Sequence, residues 1–225
     1  MTYVFGDIHG CRQPLENLLK RISPGKDDLI ITLGDYVDRG PDSRGVLDLL
    51  LDLQSHHNLV ALTGNHEIMM LDALEGPPSS GFWLLNGGIE TLESYQNRKL
   101  SSVPEAHWDF IRNLDHIYQQ DDLLFTHATP DPQRAIDEFD EEDIYWNRYD
   151  SPPAPRQDGL LLVCGHTPTE DGYPLLLNRH LCLDTGAAMG GYLTAMTMET
   201  GTYLQENIAG KTREGQVFFD SAPQP

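Results

Sequence analysis

Leu29-Ile30-Ile31-Thr32-Leu33-Gly34-Asp35-Tyr36-Val37-Asp38-Arg39-Gly40 is an apolar, partly β-branched run that ends at a glycine and then turns sharply polar. A run of this kind, bounded by Gly-Asp, reads as a buried strand with a ligand-type side chain just past its carboxyl end. The same design recurs on either side. Tyr3-Val4-Phe5 leads into Gly6-Asp7, and Leu59-Val60-Ala61-Leu62 leads into Thr63-Gly64-Asn65-His66. Leu123-Leu124-Phe125-Thr126 ends at His127, and Leu160-Leu161-Leu162-Val163-Cys164 ends at Gly165-His166. Helical patterns lie between the first three strands. Leu15, Leu18, Leu19 and Ile22 follow Pro14 at helical spacing, with Pro14 suited to the first helical position. Ser43 suits the cap of a second helix that carries Val46, Leu47, Leu50 and Leu51 on one face. Strand–helix alternation through residue 75 predicts right-handed βαβ units and a region of parallel sheet.

Beyond residue 180 the pattern changes. Leu193–Met198, a Glu199-Thr200-Gly201 turn and Thr202–Glu206 read as a hairpin, with Val217–Phe219 as a third strand. Pro77-Pro78-Ser79-Ser80-Gly81 and Ser151-Pro152-Pro153-Ala154-Pro155 read as loops. No linker divides the chain, so a single α/β domain over residues 1–219 is expected, followed by a flexible tail over 220–225.

The 225 residues hold 35 Asp and Glu against 15 Lys and Arg, a formal charge of −20. That balance lacks the basic footprint needed for duplex nucleic acid or an anionic membrane surface. No apolar run is long enough to span a bilayer, and no signal peptide shows at the start. Three cysteines without a CxxC suggest reduced thiols and a cytoplasmic setting. Cys11 reads as a packed residue at a helix start, and Cys164 and Cys182 as core. The charge also argues, at first reading, against an anionic ligand.

Open α/β sheets place their sites beyond the carboxyl ends of the strands. Asp7, His9, Asp35, Asn65, His66, His127 and His166 are thereby collected into one candidate pocket. Each alone is readable as a turn residue or a satisfied histidine; the repetition at successive strand ends is not. Carboxylates, imidazoles and one amide form a mixed oxygen and nitrogen set suited to Mn²⁺, Fe²⁺ or Zn²⁺.

The segments read GDIHG at 6–10, GDYVDRG at 34–40, GNHE at 64–67, THA at 126–128 and GHTP at 165–168. Together they resemble the PPP family of phosphoprotein phosphatases within the calcineurin-like metallophosphoesterase superfamily, in particular its small bacterial and phage (lambda-type) branch. FWLLNGG at 82–88, YWNR at 145–148 and DTGA at 184–187 are similar to that branch as well. The resemblance implies a central β-sandwich of mixed sheets flanked by helices, in four α/β/β/α layers. It implies two divalent metal ions, manganese foremost, with iron or zinc also suited. Asp7 and His9 would bind one ion, Asp35 would bridge, and Asn65, His127 and His166 would bind the other. Such a pair activates a shared water for direct in-line attack on phosphorus. His66 would be the general acid, Asp38 its orienting carboxylate, and Arg39 and Arg148 the phosphate clamp, with Asn65 also facing the substrate. A surface side chain beside Trp146 is the competing reading for Arg148.

These residues point to hydrolysis of phosphomonoesters, chiefly phosphoserine and phosphothreonine in proteins, with phosphotyrosine or small phosphate esters also accepted. The alternative is a symmetrical dinucleoside polyphosphate hydrolase acting on diadenosine tetraphosphate. That group typically carries Ala at the position of Asp38 and Asp at that of Glu67, which favours the phosphatase. A phosphodiesterase and an inactive metal-binding scaffold are weaker readings. Thr63 departs from the Arg that many family members carry there. The acidic run Asp137–Asp143 reads as solvated, or as flanking a groove that selects basic phosphopeptides. Bound divalent ions reverse the sign of the field locally, so the overall charge does not exclude a phosphate substrate. The sequence leaves the oligomeric state open.

Overall fold

The computed structural model describes residues 1–149 and 153–219. The expected tail 220–225, and Ser151 and Pro152 of the proline-rich segment, lie outside the described residues. The chain runs β1 (Thr2–Phe5), α1 (Arg12–Ile22), β2 (Leu29–Thr32), α2 (Ser43–His56), β3 (Asn58–Ala61) and α3 (Asn65–Asp72). Three more helices follow, α4 (Pro77–Trp83), α5 (Ile89–Ser94) and α6 (Glu105–Arg112). The remainder is β4 (Ile117–Gln120), β5 (Leu123–Thr126), β6 (Leu161–Cys164), β7 (Leu175–Leu177), β8 (His180–Cys182), β9 (Leu193–Thr197), β10 (Thr202–Glu206) and β11 (Thr212–Gln216).

Two mixed sheets form the centre. One has the order β11-β10-β9-β1-β2-β3 and the other β4-β5-β6-β8-β7. The expected βαβ units hold: β1, β2 and β3 are parallel neighbours, with Val4 opposite Ile31 and Ile31 opposite Val60. Side chains alternate across a strand. Val4 and Ile31 therefore face the second sheet, where they pack with Phe125, Val163 and Leu181. Phe5 and Ile30 face the other way and receive Leu15 and Leu18 of α1 and Val46, Leu47 and Leu50 of α2. The outer face of the second sheet, Leu124, Leu162, Cys164 and Cys182, is covered by Ile136 and Phe139 from an irregular stretch with short helical turns. The layering is the expected sandwich of mixed sheets flanked by helices.

Local expectations fail in four places. Asp42, not Ser43, caps α2 by accepting from the Gly45 N–H at 2.9 Å. Pro14 is the third residue of α1, not the first. Pro77-Pro78-Ser79-Ser80-Gly81 opens α4 rather than a loop, because proline in a first turn has no intrahelical donor to lose. The third C-terminal strand is Thr212–Gln216, ahead of Val217–Phe219. It is an edge strand lacking the apolar alternation by which strands are read.

Phe125 is fully buried between the sheets, whereas Phe218 is 76% exposed. Phe125→Ala is expected to cost about 3–5 kcal/mol of unfolding free energy in urea titrations. Phe218→Ala should stay within about 0.5 kcal/mol.

Candidate functional site

The carboxyl ends of β1, β2, β3, β5 and β6 converge on one edge of the sandwich, and every strand-end residue singled out in the sequence arrives there. Asp7 and His9 follow β1, Asp35 follows β2, Asn65 and His66 open α3 after β3, His127 follows β5 and His166 follows β6. All are buried. Two groups of donor atoms form. His9, Asp35 and His66 make one; Asp35, His127 and His166 make the other, so Asp35 belongs to both. His9 Nε2 stands 3.3 Å from Asp35 Oδ2, and His127 Nε2 stands 3.4 Å from Asp35 Oδ1. Asn65 Oδ1 lies 3.1 Å from both His127 Nε2 and His166 Nδ1. Asp7 sits beside these groups, its carboxylate accepting the His166 backbone N–H at 3.1 Å.

Backbone geometry brings the groups this close. His9, Asp35, Asp38, Arg39 and His166 all have positive φ, from 43° to 74°. Non-glycine residues occupy that region rarely and at some cost, which makes its concentration here a mark of a functional site. A Cβ on Gly64 would stand 2.2 Å from Asp35 Oδ1, and one on Gly165 would stand 2.0 Å from Asp7 Oδ1, so only glycine admits these carboxylates.

The Glu67 carboxylate holds the β2 loop in its strained course. It accepts N–H groups from Asp35 and Tyr36 at 2.8 Å, Gly64 at 3.0 Å and Val37 at 3.3 Å. Asp38 is braced similarly. Its carboxylate accepts from Thr91 Oγ1 at 2.7 Å and from Trp83 Nε1 at 3.0 Å, and it meets His66 Nδ1 at 2.7 Å. Sequence reasoning quoted GNHE and FWLLNGG but assigned no role to Glu67 or Trp83. Nothing local marks Thr91, whose partner lies 53 positions away.

The donor chemistry identifies what fits. His9 Nδ1 faces the Val37 carbonyl at 2.8 Å, and His127 Nδ1 faces the Leu33 carbonyl at 2.8 Å. Those nitrogens carry the hydrogens, which leaves lone pairs on both Nε2 atoms. For His166, Nε2 faces both the Trp146 carbonyl at 3.0 Å and the Arg148 Nε–H at 3.2 Å, while Nδ1 is turned toward Asn65. Burial pushes His9 and His166 down to about 3 and lowers His127, so the three rings are neutral near pH 7. Asp35 is held below the usual carboxylate range: burial opposes its charge, and attraction to histidine protons in the cluster, which His66 with its raised pKa retains, outweighs that. Lone pairs and carboxylate oxygens thus point at one another, an arrangement that divalent cations would satisfy. Imidazoles whose second nitrogen is fixed by a carbonyl are typical of metal ligands.

Arg39 and Arg148 approach from different sides. Arg39 Nη1 lies 2.8 Å from His9 Nε2, and Arg148 Nε lies 3.2 Å from His166 Nε2. His66 is raised: burial alone would lower it, but the Asp35 and Asp38 carboxylates prevail. Asp184, in the DTGA segment, is a further buried carboxyl, pushed up to about 6 by burial. Tyr36, next to Asp35, is fully buried, with its hydroxyl donating to the Leu62 carbonyl at 2.6 Å. The acidic run serves its own loop. Asp140 and Asp143 pair with Arg134, and Glu138 accepts the Ala135 N–H.

No helix among the described residues is long and apolar enough to cross a membrane. The calcineurin-like phosphoesterase family profile matches residues 2–189. Serine/threonine-protein phosphatase 1 of Salmonella typhimurium is 46% identical over 89 residues, which span 39% of this chain but only 38% of that protein. A symmetrical bis(5'-nucleosyl)-tetraphosphatase of Cellvibrio japonicus is 28% identical over 271 aligned positions, covering 91% of this chain and 97% of that one. Among solved structures, a cold-active protein-tyrosine phosphatase of a psychrophilic Shewanella superposes with a TM-score of 0.64. That match has 16% identity and covers 95% of this chain and 79% of that one, a likeness of fold.

Glu67→Gln turns an amide group toward four backbone donors. A loss of about 1–3 kcal/mol is expected in urea unfolding, the scale of an unsatisfied buried polar group.

Proposed function

The chain belongs to the calcineurin-like phosphoesterase family and is a metallophosphoesterase; from that premise we propose that it hydrolyses phosphomonoesters, chiefly phosphoserine and phosphothreonine in proteins. The observation that carries the reading is the buried Asp38–His66 pair at 2.7 Å, with His66 Nε2 turned toward Asp35 at 4.0 Å. A serine or threonine alkoxide is a poor leaving group and needs a proton at the moment the P–O bond breaks. Asp38 fixes the proton on His66 Nδ1 and favours the imidazolium, leaving Nε2–H aimed into the pocket.

Asp7 and His9 would hold one divalent ion, Asn65, His127 and His166 a second, and Asp35 both. Manganese fits this donor set, and iron and zinc do as well. Bound there, the ions would lower the pKa of a water toward 7 and neutralise charge on the phosphoryl oxygens. Arg39 at the His9 side and Arg148 at the His166 side are placed to clamp two phosphoryl oxygens with planar guanidinium forks. The catalytic unit is proposed to span residues 1–219 and to work in the cytoplasm.

A second reading, hydrolysis of diadenosine tetraphosphate, is favoured by the full-length match to a symmetrical tetraphosphatase. Against it stands Asp38 itself. A phosphoanhydride releases a phosphate that needs no proton from an imidazolium.

Turnover of a phosphoserine peptide, an aryl phosphate and diadenosine tetraphosphate should be compared in Mn²⁺. The peptide and aryl ester are expected to be cleaved, and His66→Asn should lower kcat on the peptide by about 10²–10⁴-fold. Cleavage of the dinucleotide alone would falsify the phosphatase reading.

Calorimetric titration with Mn²⁺ should give two ions per chain in the wild type. At about 100 times Kd, one site should add about 2.7 kcal/mol of stability. Asn65→Ala and His127→Ala should each weaken this gain. An unchanged gain in both variants would count against the second site.

A further inference from the structure

The helical wall from α4 to α5 turns its polar contacts inward and its apolar side chains outward. Trp83 and Thr91 are fully buried and grip Asp38. Phe82, Leu85 and Ile89, on either side of the kink at Gly87, are 55%, 87% and 52% exposed. The wall is also joined directly to the site. The Arg39 N–H donates to the Gly87 carbonyl at 3.2 Å, and Gly87 has φ +114° at a π turn over Leu84–Gly88. A Cβ at Gly87 would stand 2.7 Å from Arg39 N, so this backbone lies flush against the arginine. Between the wall and the Ala187–Met189 turn runs a groove of about 490 Å³, lined by Arg39, Leu84, Leu85, Ile89, Glu90 and Ala188. Met189, next to Ala188, is 68% exposed.

Clustered exposed aliphatic side chains mark contact surfaces more often than scattered ones do. We propose that this groove is a substrate shelf which receives an aliphatic side chain neighbouring the phosphorylated residue of a peptide. The inference rests on the phosphomonoester reading and adds a substrate class to it. Arg39 identifies the occupant, since it both lines the groove and reaches His9 in the donor cluster. A phosphate ester clamped by Arg39 has its neighbouring groups beside Leu84, Leu85 and Ile89. The apolar part of the lining is aliphatic, from Leu84, Leu85, Ile89 and Ala188, and Asn86 donates one amide hydrogen to the Phe82 carbonyl at 2.9 Å. A leucine-sized side chain beside the phosphate would leave water against Leu84, Leu85 and Ile89, with Arg39 holding the phosphate end. Glu90 in the lining and the formal charge of −20 further disfavour acidic residues around the phosphate.

The test is steady-state kinetics in Mn²⁺ on two phosphoserine peptides that differ only in leucine or serine beside the phosphoserine, with phenyl phosphate and diadenosine tetraphosphate alongside. The wild type should favour the leucine peptide by about tenfold in kcat/KM, mostly through KM, the order set by moving one aliphatic side chain out of water. Leu85→Asn combined with Ile89→Asn should bring that ratio close to one. The exposure of both side chains protects the fold, and urea unfolding of the variant verifies it. Equal kcat/KM for the two wild-type peptides, or a preference that survives in the double variant, overturns the shelf. So does a KM rise confined to the dinucleotide, which would place a base there. Phenyl phosphate separates the two failures. Its cleavage without a peptide preference removes only the shelf, while no cleavage of any monoester removes the phosphatase reading and the shelf with it.

Discussion

The site is built around a repulsion. Asp35, ionised, stands within 3.4 Å of His9 Nε2 and His127 Nε2, and the Asn65 carbonyl oxygen faces the same His127 nitrogen and His166 Nδ1 at 3.1 Å. Left to itself such a cluster would relax apart, because buried electron-rich atoms gain nothing from proximity. It is held because each donor is anchored to a different strand end of a closely packed sandwich. The backbone carbonyls of Val37 and Leu33 lock the rings of His9 and His127. Gly64 and Gly165 remove the only atoms that would push Asp35 and Asp7 away. A divalent cation placed among these donors would satisfy them all at once.

Strain of that kind has to be offset nearby. Glu67 does so for the β2 loop, gathering four backbone N–H groups around one carboxylate while Asp35, Asp38 and Arg39 sit at positive φ. Burial and the Asp35 charge push Glu67 up to about 8, a rise that His66 and the backbone donors oppose. Asp38 is the other anchor. With Trp83 and Thr91 behind it, its carboxylate can approach His66 in only one way. The α4–α5 wall therefore connects the proposed acid to a surface that solvent and substrates reach.

How much of this was legible in the sequence follows from the range of each interaction. Apolar runs ending in Gly-Asp, Gly-Asn-His or Gly-His encode strand and ligand within a few residues, so the parallel strands and all the converging donors could be read directly. Capping by Asp42 and the proline start of α4 were equally local but lost to stronger general cues, serine as a cap and paired prolines as a loop breaker. β11 was displaced because its half-buried face is made by Arg213 and Gly215 rather than by apolar side chains, so no apolar alternation marks it. Thr91 and Trp83 were out of reach for a different reason. Their bonds to Asp38 span 53 and 45 positions, and only the folded wall brings them together. The acidic run is largely solvated, as read, and what its sequence leaves unmarked is the pairing of Asp140 and Asp143 with Arg134.

The charge of the chain shows how little a sum reveals about a site. A formal −20 is hostile to phosphate only if it acts as a uniform field, yet salt near 0.1 M screens exposed charges beyond about 10 Å. Inside that distance the balance is set by Asp7 and Asp35 with three neutral imidazoles, and by Arg39 and Arg148 at the flanks. Under the proposed reading the buried acids would hold divalent cations, and bound cations would turn the pocket positive whatever the sign of the surface. What the remaining surface charge still governs is the rest of the substrate, disfavouring long polyanions and leaving room for neutral, basic or aliphatic neighbours of a single phosphate.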